Sequence, residues 1–139
     1  MAFAILDTGV YIDHWEHSRH GRVLVAVRRR FVVRQSAVVL SELRRGARTK
    51  SALRLVDALR DLSTVIWEPT AEDWWRAGKL IRAIGDAQDW ETTKRREFQN
   101  DVLIALTAVR HGATVVTTNT NDFELLAKSI KVRVEDARE

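Results

Sequence analysis

The chain has no cysteine, a single proline, six glycines and no long apolar run. The missing thiols exclude a disulfide framework, a thiolate zinc site and a cysteine nucleophile, and they suit a reducing compartment. The longest apolar runs, such as residues 23–27, fall well short of the roughly 20 residues that a membrane span requires. The opening residues MAFAILD reach a carboxylate at Asp7 and lack the basic region and apolar core of a secretory signal. The expectation is a cytoplasmic protein with no membrane association. The four histidines, His14, His17, His20 and His111, show no metal-binding spacing, and Ser36 and Ser41 lack the His and Asp pattern of an activated nucleophile.

What is present is a chain of 139 residues, 45% hydrophobic and 30% charged, a balance that excludes a disordered polymer and fits one domain spanning residues 1–139. The formal charge is +4 and the pI about 10.0. Basic residues concentrate at 28–30, 44–54 and 94–96, which suits a polyanionic partner, although a solvated arginine-rich surface has the same composition.

Residues 3–6 are a short apolar run closed by Asp7-Thr8-Gly9 and read as a buried strand with Asp7 at its carboxyl end. Residues 10–15 read as a helix capped by Thr8, and 22–30 as a second helix after Gly21. Strand-forming residues at 31–33 precede Ser36, the cap of a helix running from 37 to about 47 that carries Glu42. A helix over 51–62 leads into the β-branched strand 64–67. Thr70 opens a helix over 70–84 with Trp74, Ala77, Gly78, Ile81 and Ile84 on one stripe, which gives Trp74 a core or interface role. Residues 85–96 lack apolar periodicity and read as either a mobile loop or an exposed helical extension. Residues 98–110 predict a buried helix opening near Asp101, followed by a strand at 114–117, a helix at 122–128 and a strand at 131–134. Strands alternating with helices predict an α/β fold, a mainly parallel central sheet flanked by helices on both faces.

In such sheets ligands bind beyond the carboxyl ends of the strands. Asp7 ends the first strand, while Asn119, Asn121 and Asp122 follow the strand at 114–117, with Glu42 and Asp101 on helices. An aspartate at a helix start is stabilised by free amides and the helix dipole, which would account for Asp101 alone. It does not account for Asp7, Glu42 and Asp122 at equivalent ends of other elements. Gathered carboxylates repel by roughly 4 kcal/mol per close pair at an effective dielectric of 20. A hard divalent cation relieves that repulsion, and oxygen-only ligands favour Mg²⁺ or Mn²⁺, ions suited to phosphodiester hydrolysis.

At these residues the chain resembles the PIN-domain family, and within it the VapC-type toxins of bacterial toxin–antitoxin pairs. "ILDTGVYID" is similar to the family's opening strand with its metal-binding Asp7 and a hydroxyl residue, Thr8. "VVLSELRRGA" resembles the second motif, with Glu42, and "NDVLIALTAVRHGATVVTTNTNDFELL" the C-terminal signature, with Asp101 as third acid. The resemblance covers essentially the whole chain. It implies a PIN-like fold and a metal-dependent endoribonuclease, cleaving RNA by metal-activated water and silenced by a cognate antitoxin seated between the N-terminal helices. Asp7, Glu42 and Asp101 would hold Mg²⁺ or Mn²⁺, Thr8 and Thr118 would orient water or a carboxylate, and a homodimer is the family precedent. Many members carry a fourth aspartate where this chain has Asn119, which leaves Asp122 as the nearest carboxylate and puts a second metal in doubt.

Two other functions fit the same fold: a non-catalytic RNA-binding PIN domain, and a structure-specific DNA nuclease. A pure binding module has no need to tolerate mutually repelling carboxylates, whereas nothing in the residues separates RNA from DNA. Asp13 reads as an exposed helix position. Arg44, Arg45 and Arg48 suit RNA backbone, antitoxin contact or plain solvation.

Overall fold

The computed structural model describes residues 2–138. Along them run β1 (Phe3–Leu6), α1 (Thr8–His17), α2 (Gly21–Arg30), β2 (Val32–Val33), β3 (Gln35–Ser36), α3 (Ala37–Gly46) and α4 (Lys50–Asp61). Then follow β4 (Ile66–Trp67), α5 (Ala71–Gln88), α6 (Thr92–Arg110), β5 (Thr114–Thr117), α7 (Thr120–Ala127) and β6 (Arg133–Asp136). No helix among the described residues is long and apolar enough to cross a membrane.

The main sheet has four parallel strands in the order β2-β1-β5-β6, and β3 pairs with β4 in a separate parallel ribbon. β1 connects outward to β2, while β5 connects outward in the opposite direction to β6. Because parallel crossovers are right-handed, the two directions place α1 and α2 on one face and α7 on the other. The winding therefore reverses between β1 and β5, and the loops leaving their carboxyl ends part there to open a crevice. Both inner strands are sealed: Ile5, Leu6, Val115 and Val116 are all buried, as expected of a strand covered on both faces. Phe98 and Phe123 fill the space around them without exposure, and each contributes roughly 2–3 kcal/mol through burial.

Three sequence expectations change. The segment 85–96 is neither a loop nor an extension alone, since α5 runs to Gln88, α6 begins at Thr92, and only 89–91 link them. Asp89 ends α5 in the left-handed region (φ 55°), and Trp90 anchors the turn edge-on to Phe98 at 4.9 Å between ring centroids. Gly85 leaves room for Arg95 at this hairpin: a Cβ there would lie 2.9 Å from the guanidinium and displace it from the Trp90 carbonyl and Asp86, which it bonds. Polar residues hid the helices because their buried contacts lie between α5 and α6 at wide intervals.

The stripe assigned to α5 also rotates. Asp73, Ala77, Ile84 and Gly85 are buried, while Trp74 is 51% exposed. Asp73 faces inward because it closes a capping box with Thr70 and pairs with Arg110, which turns Trp74 out by one helix position. Finally, the strand at 31–33 shortens to β2 (Val32–Val33), an unexpected β3 follows at Gln35–Ser36, the 64–67 strand shortens to Ile66–Trp67, and the last strand lies at Arg133–Asp136.

Candidate active site

Asp7 extends the β1–β5 ladder by one residue, its amide donating to the Val116 carbonyl at 2.9 Å. It is then the N-cap of α1, a place expected for Thr8. Its Oδ1 accepts from the Thr8 amide at 2.8 Å and its Oδ2 from the Thr117 hydroxyl at 2.8 Å. A buried carboxylate cannot stay charged without such donors. Burial still pushes the Asp7 carboxyl up; the Thr117 hydroxyl and the Thr8 amide pull it down, and the nearby Glu42 pushes up again.

Thr8 links two acids, because its hydroxyl donates to Glu42 Oε1 at 2.9 Å while its amide serves Asp7. Glu42 reaches this point from α3, whose start is set by Ser36 accepting from the Val38 amide at 3.1 Å. Asp101 comes from the middle of α6 and not from a helix start, so the dipole explanation of this residue fails. Its pKa is pushed up to about 8, by burial first and then by the charges of Asp7, Asp122 and Glu42, with Lys94 partly offsetting them. Asp101 therefore faces the charges of three acids, from the end of β1, from α3 and from α7, at the switch point.

The outer edge is held by donors. The Asn119 side-chain amide donates to Asp101 Oδ2 at 3.2 Å and to Asp122 Oδ2 at 3.1 Å. Lys94 donates to the same Asp122 oxygen at 2.7 Å and lies over the Trp90 ring at 4.9 Å. Asn119 thus acts on the acids as a donor, with its carbonyl oxygen left for another partner. Thr118 makes no hydrogen bond to the acids among the described residues; its hydroxyl would lie 3.3 Å from a Cβ placed on Gly9.

Sequence reasoning missed Thr117 and Lys94. The register Leu6↔Val116 makes Thr117 the neighbour of Asp7 on the same face, a relation readable only once β1 and β5 are known to pair. Lys94 lay in the polar stretch that showed no periodicity. Thr117→Val removes a donor from Asp7 and the acceptor of the Asn119 amide at 2.9 Å. Its expected cost is about 1–3 kcal/mol, measurable by denaturant unfolding, with Thr117→Ser restoring most of the loss.

The model of the PIN domain matches residues 4–129. The chain belongs to the PIN-domain family. Curated proteins supply no match. Among solved structures, the PIN domain is similar to a chain in VapBC2 of Rickettsia felis bound to a promoter DNA fragment, with 21% identity, 96% and 98% of the two chains covered and a TM-score of 0.66. VapBC-1 of nontypeable Haemophilus influenzae superposes at TM-score 0.71 with 17% identity over 97% and 98%. DNA-bound VapBC of Salmonella typhimurium does so at 0.65 with 23% identity over 99% of both. At such identities these likenesses establish the PIN fold and place no side chain.

The PIN domain's acids suit a hard divalent ion. All the donors are oxygens, and an Asp101 pushed up by burial first and then by three like charges marks a local deficit of positive charge. Among the described residues, no three or more acidic, histidine or cysteine side chains lie close enough together to hold a metal ion as they stand.

Proposed function

We propose that this chain is a toxin of the VapC type, a single PIN domain that cleaves RNA with Mg²⁺ or Mn²⁺. The observation that carries the reading is the buried Asp101 carboxyl facing the charges of Asp7, Asp122 and Glu42 at the switch point of the sheet, with Thr8 tying Asp7 to Glu42 and Asn119 tying Asp101 to Asp122. Only a site built to receive positive charge has reason to hold these acids together. Asp7, Glu42 and Asp101 would hold the ion, with Asp122 beside them behind Asn119 and Lys94. A bound divalent ion supplies Lewis acidity, lowering the pKa of water and neutralising phosphate charge. Thr8 keeps Asp7 and Glu42 aligned, Thr117 orients Asp7, and Lys94 adds a cation at the rim for a phosphate oxygen.

An antitoxin segment would cover the apolar groove of about 260 Å³ between α1, α3 and α4, where Ile12, Trp15, Leu43 and Leu55 meet. The VapBC names of the similar structures support such a partner, and the resemblance to the family implies a cytoplasmic homodimer. Purified protein is expected to cleave unstructured RNA in Mg²⁺ or Mn²⁺ and to lose that activity in EDTA. Equal cleavage in EDTA, or cleavage of matched DNA but not RNA, would defeat the reading. Expression alone should arrest growth, and harmless expression of active protein would count against the toxin assignment.

A further inference from the structure

Two open cavities meet on the flank of α3 and α6. One, about 370 Å³, is walled by Glu42, Arg45, Arg96, Glu97 and Asn100. The other, about 350 Å³, shares Arg45 and Asn100 with it and reaches Pro69 and Trp74. They form a channel leading from Glu42, and from Asn100 next to Asp101, to a tryptophan that is half in solvent. Arg45 and Arg96 are exposed and have no ion-pair partner among the described residues, whereas Arg30, Arg95, Arg110 and Arg138 are each paired with an acid. Glu68 and Glu97 stand on the same walls, so a polyanion is confined to the path marked by the two guanidiniums. Trp74 has no aromatic partner among the described residues, while Trp15, Trp67 and Trp90 each pack against a ring.

We propose that this channel is a single-stranded RNA subsite: Arg45 and Arg96 bind phosphates flanking the scissile one, and Trp74 stacks an unpaired base. The inference rests on the nuclease reading above and specifies its substrate as unpaired RNA. A base held in a duplex has no free face for an indole, and guanidiniums track a phosphate backbone without reading sequence. Trp75, one helix position along and 81% exposed, lines neither cavity and supplies an internal control.

The test is fluorescence anisotropy of a short, labelled, unstructured RNA with Asp101→Asn protein, in which the RNA stays intact. Trp74→Ala in that background is expected to weaken binding about tenfold, Trp74→Phe to keep most of it, and Trp75→Ala to leave it unchanged. An abasic nucleotide should produce a similar loss at one position of the RNA, and no further loss in the Trp74→Ala protein. Arg45→Gln and Arg96→Gln should each flatten the salt dependence. In the active enzyme Trp74→Ala should raise KM and leave kcat nearly constant. Unchanged RNA affinity in Trp74→Ala overturns the subsite, even if the wild type cleaves RNA. So does dissociation of a dimer by Trp74→Ala in sedimentation, which would assign the indole to a protein interface. If wild-type protein never cleaves RNA yet binds it through Trp74, the subsite stands and the nuclease reading falls.

Discussion

Asp101→Asn is expected to abolish cleavage and, at the same time, to stabilise the metal-free protein at alkaline pH. The carboxyl is pushed up to about 8 in the folded protein by burial and by Asp7, Asp122 and Glu42, against an ordinary value of 3.8. A group whose pKa rises on folding contributes stability that is fully present below the unfolded value and is lost as pH climbs through the folded one. Metal-free wild-type protein should therefore weaken between pH 4 and pH 9. Asparagine keeps the shape and a hydrogen-bonding oxygen but carries no charge, so the variant should escape that loss. The expected gain in Tm at pH 9 is about 5 °C or more, with none at pH 4, read by calorimetry in EDTA. Saturating Mg²⁺ should reverse the ranking, because only the wild type gains the ion's stabilisation. Activity should fall by about a thousandfold or more, since a divalent ion loses a ligand at the reacting phosphate. A variant that is inactive and also less stable at pH 9 in EDTA would indicate a structural role for Asp101.

The second large effect concerns the proton on Asp101. An ion binding there must displace that proton whenever the pH lies below about 8. Apparent Mg²⁺ or Mn²⁺ affinity should then rise close to tenfold per pH unit below that value and level off above it, a gain of about fifty-fold from pH 6 to pH 8. Calorimetric titration in two buffers of different ionisation enthalpy should show about one proton released per ion at pH 6.5 and almost none at pH 9. Affinity independent of pH over this range would mean that the ion binds elsewhere. Asp101→Asn should remove the pH dependence together with most of the affinity.

The helix hairpin of α5 and α6 shows why part of the fold escapes sequence reading. Its turn depends on Gly85 making room for Arg95 and on Trp90 meeting Phe98, contacts between residues ten and eight positions apart that no helical periodicity registers. Trp74 illustrates the converse. It fits the apolar stripe of α5 by spacing, yet a buried Asp73 paired with Arg110 outranks it and turns the indole outward. A desolvated charge with a partner is costlier to expose to the wrong neighbour than an indole is to leave half wet.

Asp7, Glu42, Asp101 and Asp122 were legible in the sequence because carboxylates at the ends of apolar runs are conspicuous, and so was the parallel α/β fold from its alternating elements. The absence of cysteine and of paired histidines narrowed the ligand chemistry to oxygen. Tertiary structure alone decided how those acids relate. The parallel register of β1 and β5 places Thr117 against Asp7, the mid-helix position of Asp101 brings it before three other charges, and the folded hairpin delivers Lys94 to Asp122. The physical reason is distance: residue type and local period are properties of neighbours along the chain, whereas burial, coupling and donor supply depend on segments that meet only when the sheet closes.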